Sequence, residues 1–113
     1  MKLSTTTKNG VAIITVTEPR IDAVVAIQFK DAMRAATDGG PDRVVLDMSG
    51  VTFVDSSGLG AIVAAMKYLG LRRKLDLAGL TPDVDKVFRL TRMDSIFDIY
   101  PSVAAATALR AAG

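Results

Sequence analysis

Phe53-Val54-Asp55-Ser56-Ser57-Gly58-Leu59-Gly60 lies between two segments of different periodicity. Before it runs Val44-Val45-Leu46-Asp47-Met48, a short apolar run that reads as a buried strand. After it, Leu59, Ile62, Val63, Met66 and Leu69 recur at three- and four-residue steps, the spacing of a helix face. The stretch is therefore a strand-to-helix corner. In open α/β folds such corners put a short loop and a helix N-terminus at the carboxyl edge of the sheet, where ligands and partners bind. This corner carries two hydroxyls, one carboxylate and two glycines.

Working outward toward the N-terminus, residues 2–8 alternate weakly and carry Ser and Thr at 4 to 7, which suits an exposed edge strand. Asn9-Gly10 is the preferred pair for a tight hairpin turn. Val11–Thr17 then reads as a more central strand, antiparallel to the first. Pro19 ends it, because proline cannot donate to a ladder. Asp22 stands as the last polar residue before a helical stretch over residues 23–37 and is a candidate N-cap. In that stretch Val25, Phe29, Ala32, Met33 and Ala36 share one face. Gly39-Gly40-Pro41 stops it.

Toward the C-terminus, the helix after the corner runs from about Ser57 to Leu69 and ends at Gly70. Lys74–Ala78 alternates as a strand. Thr81-Pro82 opens a third helix, with Thr81 as cap and Val84, Val87, Phe88 and Thr91 inward. Residues 96–100 read as a short last strand. Pro101 begins an alanine-rich helix whose sides are set by Val103, Ala106 and Leu109/Arg110. Strands alternating with helices predict an α/β fold with right-handed crossovers. The expected sheet is mixed and mostly parallel, of about five strands, with the first strand antiparallel at an edge, and about four helices.

The chain has 113 residues, enough for one domain with one core. It contains neither cysteine nor histidine. That removes disulfides, thiolate metal sites, the usual base of serine hydrolases and the commonest metal ligand. No cofactor or metal is expected. The net charge is +2 and the one basic cluster, Arg72-Arg73-Lys74, reads as a solvated loop, so direct nucleic-acid binding is not expected. No apolar run approaches the length of a membrane span, and the N-terminus lacks a signal-peptide core. The sequence predicts a soluble, cytoplasmic protein with no membrane insertion.

Two readings of the corner stand side by side. In one, Ser56 or Ser57 caps the helix, and Ser56→Ala would cost the usual capping value of about 1 kcal/mol. In the other, Ser56 is a phosphoacceptor, and the helix N-terminus would stabilise the phosphate in place. Asp55 beside it would turn that phosphate into a concentrated negative patch. Gly58 and Gly60 serve either close packing against the sheet or close approach by a partner's backbone. Asp22 is a cap, a partner contact or both, and belongs to the same sheet edge as Ser56. A catalytic serine would need a base, and Lys67 lies about two turns or more along the same helix, out of reach.

At Asp55-Ser56-Ser57-Gly58-Leu59-Gly60, preceded by an apolar strand and Phe53-Val54, the chain resembles the STAS domains, above all the stand-alone bacterial anti-sigma-factor antagonists. The resemblance also takes in the opening hairpin, Ile21-Asp22, Val44–Met48 and Leu80-Thr81-Pro82. It implies one STAS domain over residues 1–113 and a non-enzymatic role in partner switching. Ser56 would be phosphorylated by an anti-sigma factor that is also a serine kinase. The unphosphorylated chain would bind that factor and free a sigma factor, and a serine phosphatase would reset it. Asp22, Asp55, Ser57 and Gly58 would contact the partner. Glu18-Pro19-Arg20 departs from the family, which often has glycine here and an acidic residue in place of Arg20. The alternative within the family is a constitutive scaffold, such as a subunit of a membrane transport complex, without the switch.

Overall fold

Residues 1–108 are described by the computed structural model. Two strands, β1 (Leu3–Lys8) and β2 (Val11–Val16), form the opening hairpin, with Leu3 opposite Val16 and Lys8 opposite Val11. Asn9 and Gly10 both take positive φ, 53° and 76°, as a type I′ turn requires. After β2 come β3 (Arg20–Ile21), α1 (Ala26–Thr37), β4 (Arg43–Asp47), β5 (Phe53–Val54) and α2 (Ser56–Leu69). They are followed by β6 (Lys74–Ala78), α3 (Pro82–Leu90), β7 (Ile99–Tyr100) and α4 (Val103–Thr107).

The main sheet has the order β1-β2-β4-β6-β7. Only β1 runs against its neighbour; β2, β4, β6 and β7 pair in parallel. The sheet therefore has the predicted mixed character, with β1 at an edge. Because β2 and β4 are parallel neighbours, the segments leaving their C-terminal ends emerge side by side. Those segments carry Asp22 and Ser56.

Strand parity divides the core. Ala12, Ile14 and Val16 of β2, Val44 and Leu46 of β4, and Leu75 and Leu77 of β6 share one face. Against them pack Phe29 and Met33 of α1, Ala61, Ile62 and Ala65 of α2, and Val84 and Phe88 of α3. The other face is thinner. There Val11, Val45 and Ala78 meet Ala106 of the short α4.

That thin face also carries an ion cluster. Asp76, mid-strand in β6, is fully buried. The Arg43 guanidinium donates from Nε to its Oδ2 at 2.9 Å and from a terminal nitrogen to the Ala106 carbonyl at 2.6 Å. Lys74 lies 3.4 Å from the other Asp76 oxygen and pairs closely with Asp98. The hydrogen bond to Asp98, and then the Asp76 charge, hold the Lys74 ammonium above its ordinary pKa of 10.5, against the desolvation that lowers it. A raised pKa adds stability below pH 10.5, and that contribution is lost as the pH climbs through the folded value.

Several expected details differ. Helix α1 begins at Ala26, three residues late, because Asp22 folds the chain into a turn first: its Oδ1 accepts the Val24 N–H at 3.1 Å. The residue at the cap position is Val25, and no side chain caps α1. On α3 only Val84 and Phe88 are buried; Val87 is partly covered and exposed Thr91 is the C-cap. Thr81 stands at the N-cap as expected, but its hydroxyl bonds the Val51 carbonyl at 2.8 Å and so ties α3 to the loop before β5. The last strand shrinks to two residues. A 3₁₀ turn at Met93–Ser95 precedes it, and Phe97 packs edge-on against Phe88. Leu109 and Arg110 lie outside the described residues.

Candidate functional site

A second, two-residue sheet builds the corner. Pro19, having left the main sheet, offers its carbonyl to the N–H groups of Thr52 and Phe53 at 2.8 and 3.2 Å. This zips β3 alongside β5 in parallel, with Arg20 opposite Phe53 and Ile21 opposite Val54. Ile21 and Val54 point into the core; Arg20 and Phe53 point out. The Asp55 N–H continues the pairing to the Ile21 carbonyl at 3.4 Å. Two segments far apart in sequence are joined here.

Helix α2 starts pressed against that pair. A Cβ at Gly58 would fall inside the Ile21 carbonyl oxygen and 3.1 Å from Val54 Cγ1. Of the two packing alternatives, Gly58 therefore takes close approach within the fold. Gly60 faces open space, and no atom lies within 4 Å of the Cβ it lacks.

The cap of α2 is Asp55, and neither serine has that role. Its Oδ1 accepts the Gly58 N–H at 2.9 Å, and its extended backbone is that of an N-cap. Its Oδ2 accepts the Ala23 N–H at 3.2 Å, pinning the turn before α1 to the start of α2. Ser56 and Ser57 are the first two helical residues, both exposed. No acceptor or donor among the described residues engages their hydroxyls, and their backbone N–H groups are unpaired as well. The sequence reading places the cap on Ser56 or Ser57 and overlooks Asp55, although aspartate is as good a cap as serine. The energetic expectation changes with the assignment. Ser56→Ala should alter stability by less than about 0.5 kcal/mol. Asp55→Ala, which removes a cap and a tether, should cost about 1–2 kcal/mol. Denaturant midpoints of the two variants check this.

Asp22 and Asp55 thus lie in adjoining turns beside Ser56, as their common sheet edge predicted. Both Asp22 oxygens are engaged, Oδ1 by Val24 and Oδ2 by Arg20 Nε at 3.3 Å. Arg20 lies over the Phe53 ring, 4.0 Å from its centroid. Around these polar groups stand apolar side chains open to solvent: Val24 is 82% exposed, Ile27 68% and Phe53 39%. Val24, Ile27 and Phe53 are not among the sequence candidates, and Arg20 stands out there only as a departure from the family. Val24 and Ile27 lie off the α1 face that packs, which is a signal the sequence did contain. The Arg20–Phe53 stack rests on a pairing too short to show periodicity.

The arrangement can present and hold an anion at Ser56: free N–H groups and the positive end of a 14-residue helix converge there. Among the described residues no cluster of acids is placed to hold a metal ion, and no helix is long and apolar enough to cross a membrane.

Comparison with known proteins agrees with this architecture. Residues 2–106 match the family model for the STAS domain. The anti-sigma-B factor antagonist of Listeria monocytogenes is 32% identical over 80 residues, 70% of each chain. The anti-sigma-F factor antagonist RsfB of Mycobacterium tuberculosis is 30% identical over 95 residues, 73% of this chain and 74% of that one. The crystal structure of an anti-sigma factor antagonist from Mycobacterium paratuberculosis superposes with a TM-score of 0.83 at 29% identity, covering 96% of this chain and 93% of the other. A match over nearly the whole length, on a fold whose second small sheet presents the serine corner, places this chain in the STAS domain family.

Proposed function

We propose that this chain is an anti-sigma-factor antagonist whose binding is switched by phosphorylation of Ser56. The observation that carries the reading is the division of labour at the corner: Asp55 does the capping, so the Ser56 hydroxyl is exposed and untied. A phosphate can be added there without breaking a bond that the fold uses. It would bring about −1.5 to −2 charges beside Asp55 and Asp22. The unpaired N–H groups of the first turn would hold it, so the fold persists while the surface becomes strongly negative.

The surface that changes is a docking patch by its chemistry. Val24, Ile27 and Phe53 supply apolar area, and Asp22, Asp55 and Ser57 supply polar contacts around it. Gly58, buried, acts on this surface through the shape of the corner. The partner is an anti-sigma factor with serine kinase activity. Unphosphorylated, the chain binds that factor and releases a sigma factor; phosphorylated, it lets go; a serine phosphatase restores it. The chain itself is a binding protein, working in the cytoplasm beside the kinase. The antagonists of Listeria and Mycobacterium that it resembles align with it over 70% and 74% of their length.

The test is affinity capture from the native organism with two baits, Ser56→Ala and Ser56→Asp. The Ala bait should retrieve an ATP-binding kinase that the Asp bait leaves behind, with affinity for that protein lowered roughly a hundredfold by the added charge. Retrieval of the same proteins by both baits, transport components among them, would make the chain a constitutive scaffold.

A further inference from the structure

Beside the serine corner, Arg20 is held at two points. Its guanidinium carbon lies over the Phe53 ring, 4.0 Å from the centroid, and its Nε donates to Asp22 at 3.3 Å. The side chain is nevertheless 57% exposed. Its two terminal nitrogens have no partner among the described residues, so the fork they form opens to solvent. Holding a long cation at both its face and its Nε removes much of the rotamer entropy that binding would otherwise cost. Arginines so placed are common among the residues that dominate interface energies. The β3–β5 pairing puts this fork on the outward side of the strip that ends at Asp22 and Asp55. Val24, whose N–H bonds Asp22, and Ile27 at the start of α1 follow in the chain, and both are exposed.

We propose that Arg20 is a preset receptor for a carboxylate, so that the partner of this surface carries an aspartate or glutamate facing position 20. This rests on the reading of the corner as a docking site. Geometry favours a carboxylate over a carbonyl, because two parallel N–H donors on a planar cation match two oxygens on a planar anion. The two acids of the surface are turned to donors of the fold, Asp22 to Arg20 Nε and the Val24 N–H, Asp55 to the Ala23 and Gly58 N–H groups, so the outward end of the guanidinium is the group that meets an incoming carboxylate. Arg20 would then set which kinase the chain accepts, while Ser56 sets when.

Two measurements test it. In the free chain, NMR of the arginine side chains should show slowed rotation about the guanidinium bonds of Arg20 relative to exposed Arg72. Equal mobility would overturn the preset receptor. The second uses the purified kinase retrieved by the Ser56→Ala chain, with binding followed at low and high salt. Arg20→Ala should weaken binding roughly tenfold, Arg20→Glu more than that with loss of the salt dependence, and Arg20→Lys should recover part of it. All three variants should keep the thermal midpoint of the native chain within a few degrees. Undiminished binding by Arg20→Glu, while Ser56→Asp still releases the kinase, overturns the carboxylate receptor and leaves the switch standing. Undiminished binding by Ser56→Asp overturns the switch itself, whatever Arg20 does.

Discussion

Gly58→Ala should unfold the corner or shift it bodily, at a cost of about 4 kcal/mol or more. One methyl group is a small change in a helix, where alanine is ordinarily preferred over glycine by about 1 kcal/mol. Here that preference is outweighed. The new Cβ would occupy the space of the Ile21 carbonyl oxygen, a backbone atom in the two-residue pairing that joins β3 to β5. Side chains can rotate away from an intruder; this carbonyl cannot, because Ile21 is fully buried and its oxygen receives the Asp55 N–H. Relief requires α2 to lift from β3, which also opens the Asp55 bond to Ala23. Gly60→Ala is the control. It adds the same methyl two residues along, into open space, and should raise stability by up to about 1 kcal/mol. Urea titrations of the two variants should move in opposite directions.

Asp76→Ala should cost about 3 kcal/mol, at the lower end of what removing one partner from a buried ion pair costs. Arg43 is then left against β6 with the Ala106 carbonyl and the face of the Tyr100 ring, and no carboxylate. The cost stays at the low end because the Arg43 side chain is 31% exposed and part of its charge can reach water. Lys74 keeps Asp98 and contributes little to the loss. Replacing both buried partners together, as Arg43→Met with Asp76→Leu, should recover most of the stability. An apolar pair of similar volume has no charge to desolvate. Thermal unfolding of the single and double variants would show the non-additivity directly.

The sequence carried the architecture and less of the site. Asn9-Gly10, the Pro19 stop, Gly39-Gly40-Pro41 and Thr81-Pro82 each punctuate the chain by local chemistry, so the order of strands and helices was legible. The alternation of strands and helices gave the parallel character of the sheet, and the structure supplies its order. Three features were not legible. The β3–β5 pairing spans two residues on each side, too few for any period to register, yet it positions Asp22 beside Ser56. Asp55, Ser56 and Ser57 are interchangeable caps by propensity, and only the backbone at Asp55 decides among them. Asp76 sits at an alternating position in its strand and reads as a solvent-facing residue. Its burial follows from Arg43, 33 residues away, reaching over from the neighbouring strand.

Two of these misses share one cause. The β3–β5 pairing and the burial of Asp76 each depend on a contact between segments distant in sequence, where local propensity is silent. The site is assembled from such contacts more than the fold is: Ala23 to Asp55, Arg20 to Phe53, Ile21 to Gly58. That is why a motif could point to Ser56 while the surface around it stayed hidden.

The most direct test of the switch is to load the chain with the kinase retrieved on the Ser56→Ala bait, add ATP, and follow both the modified residue and the complex. The switch predicts a single phosphate on Ser56, found by mass spectrometry, release of the chain from the kinase as it is modified, and an unchanged thermal midpoint. Phosphate at another residue, or a phosphorylated Ser56 that stays bound, would contradict it.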